Sequence, residues 1–285
     1  MHRLKKLKWI PLILFFLTGT ACFCQNIKSE FSHIEIILDS ASFEKLVENG
    51  FVRANLAPVE YDTMLTSPLV LSYYVLGQDN FIHFNPARGY FATQRGTAYL
   101  IFQTKRPGQG KLLEEQWRSV AKDSIVSYEF EGTDFKLTEV VYNHHDRLSK
   151  KPANNLIPML SSYSVETYRK WGLGDSAEVS VRHFLSKDSL DRNKLFKKII
   201  SIDLSITQKE LQDLQPVLEL VGYRKKKSKF IKSGEPTISY VINNQPNEFK
   251  VKTLTLMLTQ NAGNHNFNFG GANLTIRKNR ATFSF

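Results

Sequence analysis

The stretch Ser32-His-Ile-Glu-Ile-Ile-Leu-Asp39 decides how the fold of this chain is interpreted. Its β-branched residues and its short length predict a strand. Asp39 and Ser40 then supply helix N-cap chemistry, and apolar residues recur at helical spacing between Phe43 and Phe51. Three further strands are predicted at 57–64, 68–76 and 81–84. The predicted order is therefore strand, helix and three strands.

The same order is predicted again between residues 199 and 258. Ile199–Ile206 is typical of a strand, and Thr207-Gln-Lys-Glu210 is a capping box that predicts a helix start. Pro216 lies inside the helical pattern and is expected to kink or divide the helix. Strands are then predicted at 229–232, 236–242 and 249–259. Repeats of about 50 residues each indicate stacked supersecondary units.

The sequence between these two stretches divides into a shorter unit and a linker. Thr97–Thr104 predicts a strand, Gly110–Lys122 a helix and Ile125–Asn143 two strands, which is a related order. Asn155–Leu173 carries apolar residues that we interpret as a helix. The predicted organisation is a leader at 1–24, one or more modules at 25–146, a helical insertion or linker at 147–197, and a second module with a C-terminal strand at 198–285.

The first 24 residues have the pattern of an export signal. Arg3, Lys5, Lys6 and Lys8 precede an uncharged apolar run at Trp9–Leu17, which is about half the length that a spanning helix needs. Small residues follow. Cleavage before Gln25 and cleavage before Cys22, which would leave a lipid-anchored cysteine, are both consistent with this pattern. We therefore expect an exported protein, periplasmic or secreted, that contacts a membrane only through the signal or a Cys22 anchor.

Cysteine content and charge exclude several function classes. Cys22 and Cys24 are the only cysteines, so a chain that starts at Gln25 has no disulfide, no thiol nucleophile and no thiolate metal site. The chain has 38 basic and 27 acidic residues, a net charge of +11, and four of the positive charges belong to the leader. The densest basic run, Arg224–Lys229, is interpreted as a solvated turn or as a contact for anionic lipid headgroups or polysaccharide. We expect no nucleic-acid partner.

The first unit resembles a module of the vicinal oxygen chelate superfamily, which includes glyoxalases, extradiol dioxygenases and bleomycin-resistance proteins. The residues that carry the resemblance are Ser32–Asp39, the helix through Phe51, and the strands around Tyr73-Tyr74 and Phe81–Phe84. The chain is most similar to uncharacterised exported bacterial members. The resemblance implies an α+β fold in which tandem βαβββ-type modules form curled mixed sheets with helices on the outside.

The resemblance also implies a place for a divalent metal, zinc or iron. Metal ligands in that superfamily lie on the first and last strands of modules, which here points to His33, Glu35 and His83. Because residues two apart share a face of a strand, His33 and Glu35 point the same way. Two imidazoles and a carboxylate are a known ligand set for both metals. The later unit departs from the pattern, because it has Ser201 in place of His33.

Aromatic residues suggest a pocket near the same strands. Tyr73, Tyr74 and Phe84 are candidate ligand-binding residues, although neighbours on a strand face apart and some must belong to the core. The leading hypothesis is an exported, non-catalytic protein that binds a small ligand in a cleft. The alternatives are a metal-dependent lyase, isomerase or dioxygenase-type enzyme, and a surface lipoprotein that serves as an interaction module. No catalytic residue is identified from the sequence.

Overall fold

The structure is a computed structural model. It describes residues 27–64, 70–89, 94–121, 125–131, 136–142, 156–187, 193–243 and 249–285. The predicted leader, including Cys22, lies outside the described residues. None of the helices within the described ranges is long and apolar enough to span a membrane.

The first unit has the predicted order of elements. Its strands and helices are β1 (Ser29–Leu38), α1 (Ser40–Glu48), a π-helical turn (Val52–Leu56), β2 (Val59–Met64), β3 (Val70–Leu76) and β4 (Phe81–Pro86). Helix α1 begins where predicted, because the side chain of Asp39 accepts a hydrogen bond from the backbone N–H of Ser42. Strand β4 returns to lie parallel to β1.

The second unit repeats this order and corrects one prediction. It consists of β5 (Ala98–Thr104), α2 (Gly110–Ala121), β6 (Ile125–Glu131), β7 (Lys136–Tyr142) and β8 (Leu156–Tyr163), with β8 parallel to β5. The helix predicted over Asn155–Leu173 is therefore wrong in its first half. Strand β8 lies between β5 and β7, and Leu156–Ser162 are buried throughout. Both faces of the strand are therefore buried, and its apolar stretch Leu156–Leu160 shows no period that distinguishes a strand from a helix.

Two short helices follow β8, namely α3 (Val165–Lys170) and α4 (Val181–Lys187). Ser164 caps α3, since its hydroxyl accepts a hydrogen bond from the backbone N–H of Thr167. The segment 147–197 thus contributes a strand to the first sheet as well as helices. The division of the chain at residues 146 and 197 stays a prediction.

The last part of the chain forms two more units. The third contains β9 (Phe196–Ile206), α5 (Gln208–Leu220), β10 (Arg224–Lys226), β11 (Lys229–Ile231) and β12 (Thr237–Ile242), and the fourth contains β13 (Val251–Leu258), β14 (Asn264–Asn268), β15 (Asn273–Arg277) and β16 (Arg280–Ser284). The capping box at Thr207 and Glu210 is confirmed, and Pro216 does not divide α5. The strand predicted at 249–259 opens the fourth unit, because it is β12 that pairs in parallel with β9.

The units associate in pairs, and each pair forms one sheet. The strand orders are β2-β3-β4-β1-β5-β8-β7-β6 and β10-β11-β12-β9-β13-β16-β15-β14. In both sheets the first strands of the two units meet antiparallel at the centre. The fourth unit has no helix between its first two strands, and its last strand β16 lies antiparallel to β13.

One face of each sheet packs with helices α1, α2 and α5 into a common hydrophobic core. The rings of Phe84 and Phe283 approach to 5.6 Å between centroids, and those of Phe102 and Tyr223 to 5.9 Å, so the two sheets contribute to the same core. Burial of this apolar surface is the main source of stability for a domain of this kind. The structure confirms the predicted α+β fold of curled mixed sheets.

Candidate functional site

The first sheet carries a polar cluster on the face that points away from the common core. Ile34 and Ile36 of β1 are fully buried in that core. Because successive side chains of a strand point to opposite faces, their neighbours His33 and Glu35 lie on the other face of the sheet. We call this face, with His33, Glu35, Tyr74, Phe81 and His83, the first-sheet cleft. The sequence prediction that His33 and Glu35 share a face is consistent with this arrangement.

Strand β4 brings His83 to Glu35. The parallel register of β1 and β4 places Glu35 opposite His83, and Glu35 Oε2 lies 3.7 Å from His83 Nδ1. Both side chains are largely buried, with 13% and 11% of their surfaces exposed. Because a carboxylate beside one ring nitrogen favours the proton on that nitrogen, the arrangement leaves Nε2 of a neutral His83 as a hydrogen-bond acceptor.

Two residues that the sequence analysis did not identify hold Glu35 in place. Asn85 donates from Nδ2 to Glu35 Oε1 at 2.7 Å, and its own Oδ1 accepts a hydrogen bond from the Ser72 hydroxyl at 2.6 Å. Ser72 and Asn85 are completely buried. Alternation along the strands could have identified both residues, because residues two apart share a face of a strand. Asn85 lies two residues after His83, and Ser72 lies two residues before Tyr74.

Aromatic rings cover both histidines. The ring of Tyr74 stacks on that of His83 with 4.2 Å between centroids and an angle of 14°. The His33 ring stacks in the same way on Phe81, at 4.1 Å and 13°. The Ser32 hydroxyl is 3.0 Å from His33 Nδ1 and shares a hydrogen bond with it. Each imidazole is therefore fixed in orientation by a neighbouring ring.

Burial keeps both histidines neutral. It lowers the pKa of His83 to about 3, against a weaker opposite effect of the hydrogen bond with Asn85. Burial, and then the nearby His83, lower the pKa of His33 well below its usual value. Nε2 of His83 is buried and has no hydrogen-bond partner in the described part of the chain. A buried polar atom of this kind carries a desolvation cost and is often found where a ligand or water binds.

Tyr73 and Phe84 do not join this cluster. Both are completely buried in the common core, where the Tyr73 ring packs against Phe43 with 6.5 Å between centroids. They are the sequence neighbours of Tyr74 and His83, and successive side chains of a strand point to opposite faces. Of the three predicted ligand-binding residues, the structure places only Tyr74 in the first-sheet cleft.

On the same face of the first sheet, the strands of the second unit carry mainly apolar side chains. Here β5 and β8 contribute Tyr99, Ile101, Ile157 and Met159, which form a small apolar cluster with Ile37. In the register of β1 and β5, Tyr99 pairs with Glu35 and Ile101 with His33. The first-sheet cleft therefore has a wall of imidazole, carboxylate and amide groups beside a wall of apolar side chains.

The predicted metal ligands do not form a three-ligand centre in this arrangement. The His33 and His83 ring centroids are 6.4 Å apart, and their rings are engaged by Phe81 and Tyr74. Among the described residues, no group of three or more His, Cys, Asp or Glu side chains is arranged to hold a metal ion. The neighbouring positions from the second unit are apolar. The metal at this site stays a prediction.

The second sheet has no equivalent of the histidine cluster at the corresponding positions. Asp203 of β9 occupies the place of Glu35 and pairs with Ser239 of β12, where the first sheet has His83. Its carboxylate accepts a hydrogen bond from the Thr253 hydroxyl. The two sheets thus differ in chemistry at matching positions, which makes the first sheet the better candidate for a ligand site.

Comparison with known proteins assigns a family. The sequence matches the model of DUF5829, a family of unknown function, over residues 31–285. The chain belongs to DUF5829. Among solved structures, this DUF5829 chain is similar to the crystal structure of a "putative dioxygenase" from Bacillus subtilis subsp. subtilis str. 168, at 12% identity over 88% of this chain and 83% of that chain, with a TM-score of 0.30. No curated protein matches this DUF5829 chain.

Proposed function

We propose that this protein binds a small organic molecule in the first-sheet cleft. The observation that carries the proposal is His83, a neutral, buried imidazole whose Nε2 has no hydrogen-bond partner in the described part of the chain. Glu35 favours the proton on Nδ1, so Nε2 accepts a hydrogen bond. A ligand with an O–H or N–H group satisfies this atom and removes its desolvation cost.

The rest of the cleft supports a ligand that is partly apolar. Tyr74 and Phe81 supply ring surfaces beside the histidines, and Ile101 and Met159 supply an aliphatic wall. Small-molecule sites are typically lined by apolar and aromatic side chains with a few polar groups that fix the orientation of the ligand. A hydroxyl group on an aromatic or aliphatic ring fits this combination.

The pairing of units supports a relationship to the vicinal oxygen chelate superfamily as part of the proposal. Three units have a first strand that pairs in parallel with the last strand of the same unit, and the first strands of partner units meet antiparallel. The sequence resemblance implied tandem βαβββ-type modules in curled mixed sheets, and this pairing is compatible with that arrangement. Because one fold hosts many functions, the relationship does not by itself select binding or catalysis.

The proposed binding is tested with phenol, which has one O–H donor on an apolar ring, and with anisole, which has no donor. We expect phenol to shift the His83 side-chain ¹⁵N resonances and anisole to leave Nε2 unchanged. In a His83→Gln variant the backbone amides of β4 and the His33 ring should no longer shift with phenol, whereas in His183→Gln, at an exposed position, they should shift as in the wild type. Equal responses to both probes, or no response to either, would exclude the proposed role of Nε2.

A metal-dependent reaction is the alternative from the sequence, and it has its own measurement. Purified wild-type protein and a His83→Ala variant are analysed for zinc and iron after purification without chelators. A stoichiometric metal in the wild type that is lost in the variant would favour the enzyme. No difference between the two proteins would leave ligand binding as the better account of the cluster.

We further propose that the protein is exported, on the strength of the basic leader and the short apolar run at Trp9–Leu17. Mass spectrometry of the protein from its native host tests this. A chain that starts at Gln25 supports cleavage and release, and an acylated Cys22 supports a lipid anchor. A chain that retains Met1–Cys24 contradicts export by this signal.

A further inference from the structure

A cavity with a volume of about 550 Å³ is lined by residues other than those of the first-sheet cleft. Three segments line it: the end of the first helical region, residues 193–195 before β9, and the connection from β13 to β14. Its principal lining residues are Phe51, Asn55, Asn193, Gln260, Asn261 and His265. The volume is within the range of pockets that hold small molecules. None of these residues belongs to the cleft discussed above.

One wall of the cavity is built by the π-helical turn Val52–Leu56. Asn49 starts this turn by accepting a hydrogen bond from the backbone N–H of Val52 through Oδ1, at 3.0 Å. The turn is held from the other side, because Leu195 N donates to Asn55 O at 3.1 Å and Lys194 Nζ to Ala54 O at 2.5 Å. Single π-helical turns are rare and are frequently found at functional sites.

A second wall is aromatic. The Phe51 ring lies 4.7 Å from the His265 ring and 5.1 Å from the Phe267 ring, measured between centroids. His265 Nε2 is 2.9 Å from the carbonyl oxygen of Ala262, and this hydrogen bond fixes the imidazole against Phe51. The side chains of Phe51 and His265 are both partly exposed, so their rings offer a surface to a molecule in the cavity.

The polar groups of the cavity are carboxamides. Asn55 and Gln260 have exposed side chains, and Asn261 uses its Oδ1 to accept from Gly263 N at 2.9 Å. A carboxamide both donates and accepts hydrogen bonds, as a hydroxyl group does. No carboxylate is among the residues that line the cavity, and its one cationic side chain, Lys194, donates to a backbone carbonyl. The lining therefore favours neither a cation nor an anion.

We propose that this cavity binds a neutral sugar, with the sugar ring against Phe51 and His265 and its hydroxyl groups on the carboxamides of Asn55 and Gln260. A sugar presents a face of C–H groups, which suits an aromatic wall, and a rim of hydroxyl groups that need both donors and acceptors. An apolar ligand would leave the carboxamides without partners, a cation would find no carboxylate, and the one cationic side chain, Lys194, already donates to the Ala54 carbonyl.

The test uses the full chain and two probes, D-glucose and N-acetyl-D-glucosamine, followed by ¹H–¹⁵N NMR of backbone and side-chain amides. We expect at least one sugar to shift the side-chain amides of Asn55 and Gln260 and the backbone amides of 193–195, with saturation at millimolar concentration. The double variant Asn55→Ala, Gln260→Ala should bind at least ten-fold more weakly. Both positions are exposed, so the variant is expected to fold.

Gln208→Ala is the matched control, since Gln208 is an exposed carboxamide on α5 outside the cavity, and it should bind as the wild type does. The proposal is overturned if neither sugar shifts the cavity residues, if the shifts fall elsewhere, or if the double variant binds like the wild type. Phenol binding at His83 is measured separately, so the failure of either site leaves the other unaffected.

Discussion

Glu35 and His83 face each other across the parallel strands β1 and β4, with the carboxylate Oε2 3.7 Å from the imidazole Nδ1. The contact depends on the register of the strands, because a shift of β4 by one residue against β1 would turn His83 into the core and away from Glu35. Asn85 donates a hydrogen bond to the Glu35 carboxylate, and the Tyr74 ring stacks on the His83 ring. The relationship therefore fixes which nitrogen of His83 is available to a ligand, and it leads to two of the following predictions.

Acid should destabilise the protein through its buried histidines. The pKa of His83 is about 3 in the folded state, and an exposed histidine titrates near 6.5. Above about pH 6.5 neither state binds the proton and the stability is complete. As the pH falls from about 6.5 towards 3, only the unfolded state binds it, so the free energy of unfolding decreases by up to about 1.4 kcal/mol per pH unit for His83. His33 acts in the same direction.

Urea unfolding between pH 7 and pH 4 measures this loss, and side-chain NMR measures the titration of each ring. A His83→Gln variant should show a weaker pH dependence than the wild type. A His83 resonance that titrates near pH 6.5 in the folded protein would contradict the prediction.

Removal of the Tyr74 ring should raise the pKa of His83. Tyr74 stacks directly on the imidazole and contributes to its burial, which is the main cause of the low pKa. In Tyr74→Ala water reaches the ring, and the nearby Glu35 then favours its charged form. Tyr61→Ala serves as the control, since Tyr61 is on the adjacent strand, is 46% exposed and packs against Tyr73. NMR titration of His83 in both variants measures the change in its pKa. An unchanged pKa of His83 in Tyr74→Ala would contradict the prediction.

Lys250 and Glu210 form a buried ion pair that should be sensitive to the loss of one partner. Lys250 Nζ is 2.9 Å from Glu210 Oε1, and only 8% and 13% of the two side chains are exposed. Lys250→Met leaves the carboxylate without its charge partner and should lower the free energy of unfolding by about 3–5 kcal/mol. Lys252→Met, two residues away and exposed, should change it by less than about 0.5 kcal/mol.

The double variant Lys250→Met, Glu210→Gln completes a thermodynamic cycle for this pair. We expect it to be less destabilised than the sum of the single variants, because no uncompensated charge is left. Additive effects of the two substitutions would show that the ion pair is not coupled.

Two glycines should respond in opposite directions to alanine. A methyl group at Gly77 would lie 2.5 Å from the carbonyl oxygen of Asn80, within the turn between β3 and β4. We therefore expect Gly77→Ala to cost about 1–3 kcal/mol. At Gly50 no atom lies within 4 Å of an added methyl group and φ is not positive, so Gly50→Ala should stabilise the protein by about 0.4–1 kcal/mol. Thermal unfolding of both variants checks the two signs, and equal destabilisation would refute the comparison.

The sequence predicted the units well where the local signals were strong. The N-cap at Asp39 and the capping box at Thr207 marked two helix starts, because side-chain oxygens there bind free backbone amides. Strand β8 was predicted as a helix, since a strand that is buried on both faces has no alternation to reveal it. The role of β12 was also missed, because strand pairing depends on distant partners and leaves no local pattern.

The candidate site was predicted in part. His33 and Glu35 were placed on one face from their spacing, and alternation separates Tyr74 from Tyr73. Asn85 and Ser72 were missed, because short polar residues in a strand look alike whether they are exposed or bonded in the interior. Nothing in the sequence indicated the cavity at Phe51, whose walls come from three segments far apart in the chain.

The position of β16 between β13 and β15 has a consequence for biosynthesis. A nascent chain that has emerged only as far as β15 exposes one unpaired edge on each of these two strands, and such edges are prone to association with other chains. All strands of the second sheet are present only after residue 284 has left the ribosome. The strands of the first sheet are all available more than a hundred residues earlier. We therefore expect the two halves to fold in sequence, and the later one to depend more on chaperones.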